Sequence, residues 1–230
     1  MAAPFVVDPT NYDKFVAIRD AAHYVESFLD LNGIARVREY LLVPDPSKKP
    51  PGKNPWHDNG WYWNGVLFVN INRARPPTKT PGFAWSFTGF KADMTAPGIL
   101  AHETGHHIHF EINKRIDVKH QQVLINNLKL IAKHELPVSG YEPNPYEVMA
   151  EMCRLFILNP NLLRVGRPIR YVFLTQVLKL QPSHDVPWRD VLRNAHPKII
   201  SAAESWINKC TSTSKNEQYF SPVTVPTPTA

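Results

Sequence analysis

Leu100-Ala101-His102-Glu103-Thr104-Gly105-His106-His107 is the stretch from which the fold and the chemistry of this chain can be inferred. Two histidines four residues apart on a helix point to the same side, about one turn apart, so both imidazoles can reach one metal ion. Glu103 follows the first histidine directly, so its carboxylate lies near that ion without having to bind it. There it can take a proton from water whose pKa zinc has lowered towards neutrality. The pattern therefore predicts a zinc site at His102 and His106, with Glu103 as the general base.

The residues around this motif favour a partly buried helix over the alternative, a surface helix with incidental histidines. Thr95 and Pro97 are typical of a helix start, and the helix should cover about residues 96–115. Apolar residues flank the motif on both sides, at Ile99, Leu100, Ala101 and Ile108. Gly105 lies inside the helix, at a cost of up to about 1 kcal/mol relative to alanine. A glycine in this place predicts that another backbone segment passes close to it.

Two histidines and a water do not complete a catalytic zinc site, which requires a third protein ligand. One known solution uses a histidine ten residues after the first, but this chain has Ile112 there. His109 lies on roughly the same face as His102, yet about one turn too far from the ion on a straight helix. We expect it to line a cleft or to be exposed, with metal binding as the weaker alternative. His107 points elsewhere and is expected to be structural.

A better candidate for the third ligand lies on a later helix, predicted to begin near Asn144-Pro145 and to end before Asn159-Pro160. Glu147 and Glu151 are four residues apart on this apolar helix and share a face. Burying two carboxylates is costly unless a cation or hydrogen bonds compensate them. One glutamate could bind zinc while the other orients a histidine. The alternative is an acidic stripe that faces solvent.

The same helix resembles a known family. Its Glu147-Val148-Met149-Ala150-Glu151 segment, followed by Arg154-Leu155, is similar to the gluzincin branch of the zincin metallopeptidases, which contains the anthrax lethal factor protease domain and the Pro-Pro endopeptidases. The segment Pro168–Phe173 resembles the proline-aromatic segment of that family, so the likeness covers roughly residues 95–180. It implies a zinc-dependent endopeptidase in which Glu147 is the third ligand and Glu151 its supporting partner.

The resemblance also implies a tyrosine that stabilises the oxyanion of the transition state. The family places it seven residues before the ligand glutamate, where this chain has Gly140, and Tyr141 follows one residue later. Because a loop can absorb a shift of one residue, Tyr141 is the candidate, with Tyr146 as a weaker one. In the implied reaction, Glu103 takes the proton of the water and later delivers it to the leaving amine.

The rest of the chain predicts an α+β fold of the zincin type: a small, mostly antiparallel sheet over the active-site helix, with a helical C-terminal half. An amphipathic helix is expected over residues 12–32. Strands are expected at residues 34–43, 61–72 and 83–90, and the Asn64-Gly65 pair could turn a hairpin within the second of these. Further helices are expected at residues 119–134, 168–180 and 187–209.

Composition narrows the setting of the protein. We expect one domain over residues 1–210 and a disordered tail, rich in threonine, serine and proline, over 211–230. Two cysteines, Cys153 and Cys210, are too few for a secreted disulfide scaffold and favour free thiols. The first eleven residues lack the features of a signal peptide, and no apolar run is long enough to span a membrane. These features predict an intracellular (cytoplasmic) or virion-associated protein without membrane contact.

Two other functional classes remain open at this point. The net charge of +6 favours anionic partners, so a DNA-associated protein, or a protease that acts on DNA-bound proteins, is one alternative to an enzyme acting on protein or peptide substrates generally. A non-catalytic structural or virion protein that retains the zincin fold is the other. An aromatic cluster could line a substrate cleft or pack in the core, namely Trp56, Trp61, Tyr62, Trp63 and Trp85.

Overall fold

The computed structural model describes residues 12–42, 46–54, 56–75 and 92–182. The strand expected at residues 83–90, the helix at 187–209, the tail, Trp85 and Cys210 lie outside these ranges. The described residues form an α+β fold. Its helices are α1 (Tyr12–Leu31), α2 (Ala96–Asn113), α3 (Val118–His134), α4 (Pro145–Leu158), α5 (Pro160–Gly166) and α6 (Pro168–Val172). Its strands are β1 (Glu39–Leu41), β2 (Gly60–Trp63) and β3 (Val66–Val69).

The three strands form one small sheet in the order β1-β3-β2. The predicted hairpin is present: β2 and β3 are antiparallel, and Asn64 and Gly65 between them have φ values of 48° and 77°. Two positive φ values are what a two-residue hairpin turn requires, and asparagine and glycine tolerate them best. Among the described residues the sheet is mixed rather than mostly antiparallel, because β1 pairs with β3 in parallel. Strand β2 lies between β1 and β3 in the sequence and runs antiparallel to both, so it carries the chain back across the sheet before the parallel pairing.

The helices follow the predicted pattern with two differences. Helix α1 buries one apolar face and ends, as predicted, at Asn32-Gly33, where Gly33 has a φ of 59°. The helix expected over 168–180 is shorter, since α6 passes into a π-helical turn over Phe173–Val177. Helix α5 was not expected. It forms because the Asn159 side chain accepts a hydrogen bond from the backbone of Leu162 and so caps a new helix directly after α4.

Helix α2 is the central element, packed against α1, β2 and β3 and against α4. Its Gly105 lies against α4 so closely that an added Cβ would be 2.6 Å from the Cα of Ala150. The predicted close approach of another backbone segment is thus confirmed, and it brings the histidine-bearing face of α2 onto α4. Cys153 on α4 is a free, buried thiol. No helix within the described residues has both the length and the apolar character needed to cross a membrane.

Candidate metal centre

Helix α2 holds both motif histidines in place. The side chain of Thr95 caps the helix by accepting a hydrogen bond of 3.2 Å from the Gly98 backbone, and Pro97 lies in the first turn, as the sequence predicts. The helix ends at Asn113, two residues before the predicted boundary at 115. The rings of His102 and His106 lie on one side of it, with their centroids 5.0 Å apart. Both imidazoles therefore face the same small volume.

Helix α4 brings a carboxylate to these two rings. The Asn144 side chain caps α4 at the backbone of Tyr146 and Glu147, which fixes the first turn. From that turn, Oε2 of Glu147 comes within 3.1 Å of His102 Nε2 and 3.4 Å of His106 Nε2. The structure thus brings together the three residues that the sequence analysis proposed as ligands, and their ligand atoms all lie within 4.8 Å of one another.

The spacing of these atoms fits a tetrahedral zinc ion. Ligand atoms about 2.0–2.1 Å from a tetrahedral zinc are about 3.3 Å from each other. The two distances from Glu147 to the imidazoles, 3.1 Å and 3.4 Å, agree with that value. Two histidines and one glutamate are also a donor set of catalytic zinc sites, which keep a fourth position open for water or substrate.

The protonation of His102 gives a second reason to expect a cation. Its Nδ1 lies 2.7 Å from Oε1 of Glu151, and since a carboxylate only accepts, the imidazole donates there. A neutral ring then points the lone pair of Nε2 at Glu147, whose Oε2 is buried without a hydrogen-bond partner. Lone pairs that face one another repel unless a positive charge lies between them. A metal ion or an additional proton must therefore occupy this position.

Without a metal, protons supply that charge. Burial alone would lower the pKa of His102, but its contacts with Glu147 and Glu151 outweigh burial and raise the pKa to about 10. Burial opposes ionisation of Glu147 as well, yet the neighbouring imidazoles of His102 and His106 hold its pKa below the usual range. The centre therefore attracts positive charge strongly, as a metal site should.

A buried network supports the His102–Glu151 pair. Arg154, which is fully buried, donates to both carboxylate oxygens of Glu151, at 3.0 Å and 2.9 Å, and lies 3.7 Å from Asp93. Asp93 in turn accepts hydrogen bonds from the backbone and the hydroxyl of Thr95, the cap of α2. The network therefore begins and ends on the same helix and fixes α2 relative to α4. Sequence reasoning missed the role of Asp93, for which the short distance to the helix cap is the only local signal.

Glu103 is buried on the same helix, at the border of the cleft beside the metal centre. It lies against strand β2, where a Cβ added to Gly60 would be 2.9 Å from Oε1 of Glu103. Burial raises the pKa of Glu103 above its ordinary value, against the opposing influence of His102 and His106. A carboxylate with a raised pKa is a stronger base, which suits the role predicted for it.

Tyr141 lies on the loop between α3 and α4, with its ring centroid 5.8 Å from that of His102. The ring is half-exposed and lines the cleft. Burial, followed by the negative charge of Glu147, raises its pKa, so the hydroxyl keeps its proton. The loop is held by Glu142, which accepts from the Val138 backbone at 2.6 Å and pairs with the buried Arg170 at 2.9 Å. A protonated hydroxyl on a fixed loop beside the centre can act as a hydrogen-bond donor.

The cleft has a volume of about 600 Å³ and runs from β2, past the metal centre, to the start of α4. Of the aromatic cluster, Trp61, Tyr62 and Trp63 line it. Trp61 is nevertheless buried and stacks on Phe68, so it also belongs to the packing of the sheet. Trp56 is exposed and does not belong to the cleft lining. The cluster therefore divides between cleft and packing.

Comparison of the chain with protein-family models, with curated proteins and with solved structures finds no match.

The two remaining histidines of α2 have different surroundings. His107 is structural, as predicted: its Nε2 donates to the carbonyl of Ala35 at 2.6 Å and its Nδ1 accepts from the hydroxyl of Tyr62 at 3.0 Å. His109 does not belong to the metal-binding group but lines the cleft, which was the preferred expectation. Tyr146, the weaker candidate for the oxyanion, stacks on His109 with ring centroids 5.3 Å apart.

Proposed function

We propose that this chain is a zinc-dependent endopeptidase. The observation that carries the proposal is the convergence of His102, His106 and Glu147, from two helices and at zinc-like spacing, beside a buried glutamate at the wall of an open cleft. A structural zinc site is closed by four protein ligands, whereas three ligands beside a cleft leave a position for water and substrate. Hydrolysis of a peptide bond is the reaction for which this arrangement is best known.

Each residue of the site has a distinct role in the proposed hydrolysis. Zinc, when bound, supplies Lewis acidity that acidifies a water and polarises the scissile carbonyl. Glu103 takes the proton of the attacking water and gives it to the leaving amine, a transfer for which its raised pKa is suited. The Tyr141 hydroxyl donates a hydrogen bond to the developing oxyanion. Glu151 keeps the His102 imidazole in the tautomer that offers Nε2 to the metal.

Strand β2 offers a place for the substrate backbone. Within the described residues it pairs only with β3. The Asn70 backbone N–H donates to the carbonyl of Asn59 at 2.8 Å, so these two opposite residues form a hydrogen-bonded pair, and such pairs alternate with non-hydrogen-bonded ones along the two strands. By that alternation, Gly60 and Tyr62 turn their backbone N–H and C=O groups away from β3. An extended peptide could pair with this edge. Its scissile bond would then lie near Glu103, which is next to Gly60.

The first experiment measures zinc content after removal and re-addition of metal. We expect about one zinc per chain in the wild type and none in His102→Ala or Glu147→Ala. His120→Ala is the matched control, because this histidine is on the exposed side of α3 and should leave the zinc content unchanged. Zinc retained by Glu147→Ala at wild-type affinity would overturn the ligand assignment.

The second experiment tests the chemistry with a diverse peptide library. Glu103→Gln should keep the zinc and lose about 10²–10⁴-fold in turnover, since it removes the base but keeps the shape of the side chain. Undiminished cleavage by Glu103→Gln would rule out its role. Stoichiometric zinc in a wild type that cleaves no peptide would overturn the peptidase and favour a protein that uses the metal for its structure.

A further inference from the structure

The cleft-facing side of α2 continues beyond the metal centre. Residues 109 and 113 fall on the same helical face as His102 and His106, and both line the cleft. His109 is 3% exposed, and its Nε2 has no hydrogen-bond partner among the described residues. Oδ1 of Asn113 is also a buried atom without a hydrogen-bond partner among these residues. Buried polar atoms without partners are rare in folded proteins and require an explanation. Their place in a cleft makes a ligand group the natural one.

His109 is a neutral group in this position. Burial, reinforced by the nearby His106, lowers its pKa to about 4, so the imidazole carries no charge at neutral pH. A neutral Nε2 can either donate or accept a hydrogen bond, depending on the tautomer. The side-chain amide of Asn113 offers an acceptor oxygen one helical turn away. A hydroxyl suits both atoms, because it can donate a hydrogen bond to Oδ1 of Asn113 and accept one from Nε2 of His109.

The walls around these atoms are aromatic. Phe110, Tyr146 and Trp63 line the same cleft and are 43%, 53% and 41% exposed. The Tyr146 ring stacks on His109, with ring centroids 5.3 Å apart. Aromatic walls above a polar base select a planar apolar side chain with a polar tip.

We propose that His109 and Asn113, together with the rings of Phe110, Tyr146 and Trp63, form a specificity subsite for a tyrosine side chain of the substrate. The phenol ring packs between the aromatic walls, and its hydroxyl bonds to His109 Nε2 and Asn113 Oδ1. A phenylalanine ring would fill the space between the aromatic walls but leave both polar atoms without hydrogen-bond partners, so the subsite discriminates against it. This inference rests on the proposed function for the placement of the substrate.

The distance of the subsite from the metal centre limits which residue of the substrate can bind to it. The middle of the His109–Asn113 pair is seven residues along α2 from the middle of the His102–His106 pair. At 1.5 Å per residue this is about 10 Å along the helix. An extended peptide advances about 3.3 Å per residue, so the tyrosine should lie about three residues from the scissile bond. A tyrosine next to the scissile bond would have its backbone about 7 Å farther from the pair.

The test compares peptide sets that differ only by tyrosine, phenylalanine, leucine or glutamine at each position within four residues of the cleavage site. We expect about tenfold higher kcat/KM for tyrosine over phenylalanine at one position about three residues from the scissile bond. Asn113→Leu, which removes the amide but keeps the approximate shape of the side chain, should bring this ratio to about one. Asn126→Leu makes the same change on the exposed side of α3 and should preserve the ratio.

Binding of the same peptides to the zinc-loaded Glu103→Gln protein separates the subsite from the reaction. Three outcomes would overturn the subsite without affecting the proposed peptidase activity. These are cleavage without a tyrosine preference, a tyrosine preference that survives Asn113→Leu, and a preference for glutamine. If the wild type cleaves nothing, tighter binding of tyrosine peptides that depends on Asn113 would support the subsite while the proposed function fails. Absence of both cleavage and selective binding would overturn both.

Discussion

Gly105→Ala tests whether the metal centre depends on the close crossing of α2 and α4. The added Cβ would lie 2.6 Å from Ala150 Cα and 2.8 Å from Ala150 O, whereas ordinary contact begins at 3.4 Å. The obstacle is backbone, so no side chain can turn away, and one helix must shift by about 0.8 Å, the difference between 3.4 Å and 2.6 Å. The two imidazoles lie on one helix and Glu147 on the other, so this shift acts directly on the ligand set.

Two effects on stability oppose each other in this variant. Alanine favours the helix by about 1 kcal/mol over glycine, while overpacking of this kind costs about 1–3 kcal/mol. We expect the metal-free protein to lose up to about 2 kcal/mol of unfolding free energy, the difference between these two effects. Zinc affinity should fall much further, by about 100-fold, because a metal site tolerates ligand shifts of only about 0.2 Å.

Urea unfolding in the presence of a chelator measures the first effect, and competition with a chromophoric chelator measures the second. The double variant Gly105→Ala/Ala150→Gly is the control, because it removes the only side-chain carbon of Ala150 and leaves the backbone obstacle. We expect it to regain little zinc affinity. Wild-type zinc affinity in Gly105→Ala, or full rescue in the double variant, would refute the argument from backbone contact.

Three further predictions concern single side chains. Glu151→Gln should weaken zinc binding by about 10–100-fold, since the carboxylate that orients His102 is lost; an unchanged dissociation constant in a competition titration would contradict this. Tyr141→Phe should lower kcat by about 10²–10³ with zinc content unchanged, and a wild-type kcat would exclude Tyr141 from the reaction. Folded His109 stays neutral down to about pH 4, while in the unfolded chain it takes up a proton near pH 6.5. The unfolded form therefore binds more protons between these values, and the contribution of His109 to stability should fall by about 2 kcal/mol from pH 7 to pH 5. In urea unfolding, His109→Phe should lose this part of the dependence of the unfolding free energy on pH. An identical pH dependence in the wild type and the variant would contradict the buried neutral state.

The parts of the fold that the sequence predicted correctly depend on local signals. The start of α2 follows from Thr95 and Pro97, and the hairpin from Asn64-Gly65, because a cap or a turn is decided by neighbouring residues. The parallel pairing of β1 with β3 depends on where a long connection places the strand, which no local pattern reports. Helix α5 was missed because its capping residue, Asn159, also ends the preceding helix.

The candidate site shows the same division. Glu147 could be placed at the imidazoles from the cost of burying its charge and from the family resemblance, without any knowledge of the path of the chain. The contact between Asp93 and Arg154 joins residues 61 positions apart in the sequence. Neither the residue types nor their spacing predicts this contact, since buried ion pairs follow no period in the sequence. The partners of Tyr141, which include the Glu142–Arg170 pair, were hidden for the same reason.

The charge of the centre explains why these features belong together. Asp93, Glu103 and Glu151 are all less than 9% exposed, and Glu147 is only partly exposed. Arg154 contacts two of these four carboxylates, so one guanidinium cannot balance the group. In the metal-free protein the imidazole of His102 keeps its second proton, because its contacts with Glu147 and Glu151 outweigh burial and raise its pKa to about 10. A divalent cation at the same position would replace that proton and supply the missing charge, while Glu103, which it need not contact, would remain free to accept a proton. The excess of acids that would destabilise an empty site would thus bind the metal and leave Glu103 as the base of the proposed reaction.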